Sequence, residues 1–174
     1  LNRTSSMARR WFADAVPPAG EAAAASHPLA LVALETASKV NEALTTLDFR
    51  GAAEASLQLA ISANGYLNDQ APWQRMKHAD QRDQVGSDLY AVLEASRWLA
   101  VLLAPIVPDL SSRMLVQLGQ QPFNSDAPKE SGPPSDEPPQ SPWLAAQQWG
   151  GLQPGLALPE PEPVMRRLEL DSPL

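Results

Sequence analysis

The sequence contains no cysteine, which excludes disulfide bridges and thiolate metal sites. Its two histidines, His27 and His78, lie too far apart for the short ligand spacing of a metal motif. No apolar run approaches the roughly 18–20 residues that a membrane-spanning helix requires. Leu1–Met7 lacks the apolar core of a secretory leader, so a cytoplasmic protein without membrane contact is expected. Basic residues are outnumbered, 13 against 20 acidic, for a net charge of −7. A protein that grips nucleic acid mainly by its phosphates should be basic. Any RNA contact must therefore read bases with little backbone clamping. A Gly-rich nucleotide loop is also lacking.

What is present is one domain's worth of chain, 174 residues, with proline heavily skewed toward one end. Twelve of the eighteen prolines lie from Pro122 onward. This separates a helical body, residues 1–119, from a Pro/Ser/acidic linker over 120–142 and a tail over 143–174 that regains apolar residues. The body reads as all-α. Asn2, Arg3, Ser6, Met7, Arg10 and Trp11 keep turn spacing with no capping residue ahead of them, the pattern of a helix cut at its start. Pro17-Pro18-Ala19-Gly20 breaks that helix, and the loop runs to His27. Pro28 is placed as a first-turn proline, and Leu29, Val32, Ala33, Thr36, Val40, Leu44 and Leu47 make one core-facing stripe. A turn at Asp48–Gly51 leads to a helix ending near Ala71. Residues 74–85 alternate in charge and suit a solvated loop or helix start, where Arg75 or Lys77 could touch a phosphate. Gly86–Ala104 is the most apolar helix, with almost no polar face, and is expected in the middle of a bundle. Pro105 and Pro108 end it. Asp109 or Ser111 is positioned to cap a short helix closed by Gly119.

The most informative stretch is Ala63–Trp73. Leu57, Ala60, Ala63 and Leu67 fall at helical spacing and should face the core. Asn64 and Asn68, four apart, share another face. Pro72 stops the helix and pushes Ala71 away from right-handed helical angles. Trp73 is thereby delivered on a fixed elbow. A flat ring on a rigid corner suits stacking on an unpaired base, although a Trp beside a Pro also serves as a core plug. Asn64 and Tyr66 likewise suit structural hydrogen bonds as well as RNA contact.

Ala-Asn-x-Tyr-x-x-x-x-Ala-Pro-Trp, from Ala63 to Trp73, resembles the anticodon-reading helix of bacterial-type methionyl-tRNA synthetases. Two further stretches resemble that family in the same order. Leu1-Asn2-Arg3 through Met7 is similar to its Gly-Asn-Leu-x-x-Arg-x-x-x-Met helix without the leading Gly-Asn. Leu102-Leu103-Ala104-Pro105-Ile106-Val107-Pro108 through Leu118-Gly119 is similar to its Leu-x-Pro-x-x-Pro…Leu-Gly segment. A weaker match covers residues 143–169, where Val164-Met165-Arg166 replaces the usual Leu-Phe-Pro.

The resemblance implies the helix-bundle anticodon-binding domain of a class I aminoacyl-tRNA synthetase, with a tail folding back on the bundle. It implies that Arg3, Asn68, Pro72 and Trp73 contact the CAU anticodon of the methionine tRNA, joined by Asn64 and Asp69. The family's asparagine one turn before Arg3 would lie upstream of Leu1. The H-I-G-H and K-M-S-K-S motifs are missing, so no catalytic residue and no metal ligand are assigned here. ATP, Mg2+ and the family's Zn2+ belong to the catalytic domain of the same enzyme, the implied protein partner. No appended tRNA-binding β-barrel is legible, so a monomer is implied. Sister synthetases for valine, leucine, isoleucine or cysteine remain as alternatives, as does a helical adaptor that binds proteins through an acidic, Pro-rich tail.

Overall fold

A computed structural model describes residues 1–122 and 142–165. Most of the linker expected at 120–142, and the Arg166–Glu169 portion of the tail match, lie outside the described residues. The element order is α1 (Asn2–Trp11), a 3-10 turn (Gly20–Ala23), α2 (Pro28–Thr45), α3 (Phe49–Gln70), α4 (Pro72–Arg75), a second 3-10 turn (Ala79–Gln81), α5 (Arg82–Leu103), α6 (Pro108–Gln117) and α7 (Pro142–Ala145). Among the described residues the only β-pairing is an isolated antiparallel bridge between Ala15 and Ala157. The all-α expectation stands.

α5 is the axis of the bundle. From Val85 to Leu103 every residue except Leu99 is buried, and α1, α2, α3, α4 and α6 all pack against it. Trp98, Tyr90, Leu89, Leu93 and Leu102 form its fully buried face. Burying each such side chain contributes about 1.5–3 kcal/mol. The expectation that this helix carries almost no polar face is corrected. Asp88, Glu94 and Arg97 are 1%, 0% and 5% exposed, and each is held by specific partners described below.

The α2–α3 hairpin packs across α5 through the stripes Leu29, Ala30, Ala33, Thr36, Ala37, Val40 and Ala52, Ser56, Leu59, Ala63, Leu67. Two expected core positions fall elsewhere. Leu57 is 53% exposed because the buried register runs through Ser56 and Leu59, and Leu47 is 72% exposed because α2 has ended before it. α2 begins as expected at Pro28, with His27 Nδ1 accepting the Leu29 N–H at 3.2 Å. α6 differs: neither Asp109 nor Ser111 caps it. Its first turn instead follows Val107, and the buried Ser111 hydroxyl donates to the Ala100 carbonyl of α5. Its end does follow the sequence. Gly119 at φ +70° lets the Gln120 N–H reach Leu115 O and its own N–H reach Val116 O, at 2.9 Å each.

The tail lies across α5. The Glu94 carboxylate accepts the backbone N–H groups of Gly150, Gly151 and Leu152 at 3.0, 3.1 and 2.9 Å. Arg97 pairs with Glu94 at 2.6 Å and donates to the carbonyls of Ala146 and Gln148. The Tyr90 hydroxyl donates to Leu152 O at 2.8 Å, and Leu152 and Leu158 are buried. Desolvation there, with Glu94 nearby, pushes the Tyr90 phenol up to about 12.

Candidate nucleic-acid interface

The elbow predicted at Ala71–Trp73 is formed by an uncommon backbone. Ala71 takes left-handed angles, φ +42° and ψ +54°, and serves both as the end of α3 and as the cap of α4. A non-glycine residue there costs roughly 1–3 kcal/mol, so the surrounding structure must enforce it. Pro72 disfavours right-handed helical angles at the residue before it. Two hydrogen bonds then hold Ala71 between the helices, its N–H donating to Leu67 O at 3.2 Å and the Gln74 N–H donating to its carbonyl at 2.9 Å. Pro72 itself is buried. Trp73 follows, partly exposed, with one side against the bundle core.

The structure brings Arg3 to this elbow. Its guanidinium carbon lies 4.1 Å from the centroid of the Trp73 ring, so two of the residues singled out from the sequence are in direct contact although α1 and α4 lie far apart in the chain. Next to them an open cleft of about 340 Å³ is lined by Arg10, Trp11, Trp73, Met76 and Lys77. Arg10 and Trp11 were not singled out from the sequence as site residues. The signal was there, since Arg3, Met7 and Arg10 follow one another at helical spacing on α1. The N-terminal stretch of residues 1–12 carries no acidic side chain, so the cleft is locally cationic despite the net charge.

Asn64, Asn68 and Asp69 are exposed on α3. Asn64 lines a small recess with Leu1, Ala63, Ser96 and Leu99, which puts it beside the start of α1. Tyr66 instead faces inward. Its hydroxyl donates to Asp88 Oδ1 at 2.9 Å and lies 3.2 Å from His27 Nε2. Burial and the Asp88 charge hold its pKa far above the usual phenol value. Tyr66 is therefore a neutral structural group.

Arg75, which the sequence offered as a phosphate contact, is bonded within the fold. Its Nη1 donates to Asp88 Oδ2 at 2.7 Å and Gln70 Oε1 at 2.9 Å, and its Nε donates to Gln81 Oε1 at 3.0 Å. A guanidinium so committed is a strut. Lys77 stays exposed at the cleft.

Chemically, the corner offers a π-face, cations that carry up to five fixed donors each, and amide and carboxylate groups one turn away. Among the described residues no group of three or more His, Asp or Glu side chains is placed to hold a metal ion. No helix there is long and apolar enough to cross a membrane.

Several known proteins are similar to this chain in sequence and fold. The family model described as the anticodon binding domain of methionyl tRNA ligase matches residues 16–132. The methionine–tRNA ligase of Thermosynechococcus vestitus is 35% identical over 175 residues, covering 99% of this chain and 31% of that protein. That of a Nostoc species is 31% identical over 170 residues, covering 97% of this chain and 30% of that protein. The free-state crystal structure of Mycobacterium tuberculosis methionyl-tRNA synthetase superposes with a TM-score of 0.74 at 28% identity, covering 97% of this chain and 31% of that one. The chain thus spans about 30% of the length of the curated relatives it matches. On these matches, and with an all-helical fold to suit them, the chain belongs to the methionyl-tRNA ligase anticodon-binding family.

Proposed function

We propose that this chain recognises the CAU anticodon of the methionine tRNA for a full-length methionine–tRNA ligase. The catalytic domain of that enzyme would carry out ATP-dependent aminoacylation. The single observation that carries the reading is the Arg3–Trp73 contact at the Ala71 elbow. It supports a site in which the cytosine stacks on the indole and the guanidinium moves to the base's Watson–Crick edge. The magnitudes favour that exchange. A cation–π contact at an exposed site is worth about 0.5–1 kcal/mol, and a base–aromatic stack about 1–3 kcal/mol. Asn64, Asn68 and Asp69 lie on the exposed side of α3 leading to the elbow. There they would select among bases by leaving wrong ones with unpaired groups.

ATP and Mg2+, with any Zn2+, are assigned to the catalytic domain. No catalytic step is attributed to this chain. The reading includes a monomer acting in the cytoplasm. The test is titration of the chain with a CAU anticodon stem-loop and with a loop altered at the cytosine, followed by Trp fluorescence at low salt. Quenching by the first loop alone supports base reading. Equal response to both loops refutes it. Sedimentation of the same sample with and without the stem-loop tests the monomer.

A further inference from the structure

We propose that Asp88, acting through Arg75, is a positioning residue for the Trp73 elbow; the inference rests on the anticodon reading above. α4 has four residues, too few to hold a helical shape or direction without tertiary support. Pro72 supplies one anchor by burial. The second anchor is Arg75, two residues beyond Trp73. Its guanidinium bonds Gln70, the residue just before Ala71, and Gln81 in the following 3-10 turn. Its remaining bond, at 2.7 Å, goes to Asp88 Oδ2. One side chain thus ties together both flanks of the elbow and the central helix.

Asp88 is an expensive residue in that position. It is 1% exposed within the most buried helix, where an unpaired carboxylate would be strongly unfavourable. It is accommodated by three side-chain donors that converge on it: Arg75, the Tyr66 hydroxyl at 2.9 Å, and Gln84 Nε2 at 3.2 Å. Tyr66 belongs to α3, Gln84 to α5 and Arg75 to α4. The carboxylate therefore fixes the angle between the helix that enters the elbow and the one that leaves it. An apolar residue could fill the same volume, but it could not set that angle. Neither Asp88 nor Arg75 needs to touch RNA.

The test uses the whole 174-residue chain and two stem-loops, one with CAU and one with uracil at the first anticodon position. Arg75→Gln and Asp88→Asn are each made alone and combined with Trp73→Ala, and binding is measured well below the melting temperature of every variant. Each single change is expected to weaken CAU binding about tenfold, the order of one lost base stack, and to reduce discrimination. In the Trp73→Ala background neither should weaken it further, because a positioning residue acts only through the ring it positions. Arg75 is partly exposed, with 25% of its side chain accessible, so Arg75→Gln carries the test alone if Asp88→Asn does not fold. Wild-type binding by Arg75→Gln, while Trp73→Ala loses discrimination, overturns this inference and leaves the anticodon reading intact. Losses that add to that of Trp73→Ala overturn it also. If Trp73→Ala itself leaves discrimination unchanged, the anticodon reading fails and this inference falls with it.

Discussion

The guanidinium of Arg3 lies over the indole of Trp73, 4.1 Å from its centroid, and this contact joins the first helix to the elbow that ends the third. It makes the two residues a unit, and their substitutions should not behave independently. Trp73→Ala is expected to weaken binding of a CAU stem-loop by tenfold or more, from the roughly 1–3 kcal/mol of a lost stack. Trp73→Phe should recover part of it. Arg3→Ala should cost less in affinity than in discrimination against an altered cytosine. A double-mutant cycle read by stem-loop titration measures the coupling; independent, additive losses would contradict the shared site.

Salt dependence separates base reading from phosphate clamping. Arg10 and Lys77 line the cleft and Arg3 lies over its Trp73 wall, on a chain whose net charge is −7. Each phosphate neutralised on a single strand contributes about −0.7 to the slope of log K against log salt. The slope for a CAU stem-loop is therefore expected to be no steeper than about −2. Binding isotherms across a salt series give it directly, and a slope two or three times steeper would mean a phosphate-dominated contact that this cleft does not explain.

How much of this could be read in the sequence depends on the kind of interaction. The break at the elbow was legible because Pro72 disfavours right-handed angles at Ala71 through the backbone alone, whereas the left-handed angles that Ala71 takes were not. The α3 core register was only partly legible. Leu57 and Leu59 are equally apolar, and only packing against α5 decides that Leu59 goes inside and Leu57 stays 53% exposed. The cleft formed by Arg10, Trp11, Trp73, Met76 and Lys77 was missed, because it needs α1 and α4 to meet. The buried Glu94 was missed for a stronger reason. Three of its partners are backbone N–H groups of a distant segment, and backbone groups leave no side-chain signature in a sequence.

That carboxylate provides a test of how the tail is held. Glu94→Ala would strand Arg97 and three backbone donors in the interior. Removing one member of a buried pair typically costs about 3–5 kcal/mol. The variant is expected to lower the urea midpoint sharply and to expose residues 146–158 to protease. Glu94→Gln keeps one of the two acceptor oxygens and puts a donor in place of the other, so it should lose less than Glu94→Ala while still falling short of the native chain. Gly151→Ala should imitate part of the effect, since a Cβ there would sit 2.8 Å from Arg97 Cζ. Wild-type protease resistance in Glu94→Ala would show that the apolar contacts of Leu152 and Leu158 suffice.

The pH dependence of stability should carry the mark of His27. Its Nδ1 accepts the Leu29 N–H at the start of α2, so the proton of the neutral ring is inferred to sit on Nε2, facing the Tyr66 hydroxyl. Burial lowers its pKa, and the nearby Asp88 charge offsets this only in part. The folded protein therefore binds fewer protons than the unfolded chain as pH falls below about 6.5, the ordinary histidine value. The stabilising term is complete above that value. It is lost progressively as pH drops toward the lowered folded value, where the imidazolium would also give up its role as a capping acceptor. Urea midpoints measured between about pH 7 and 5 are expected to decline toward the acid end. His27→Asn retains an N-capping side chain but does not titrate, so it should flatten that limb. An unchanged slope in His27→Asn would assign the acid sensitivity to another group.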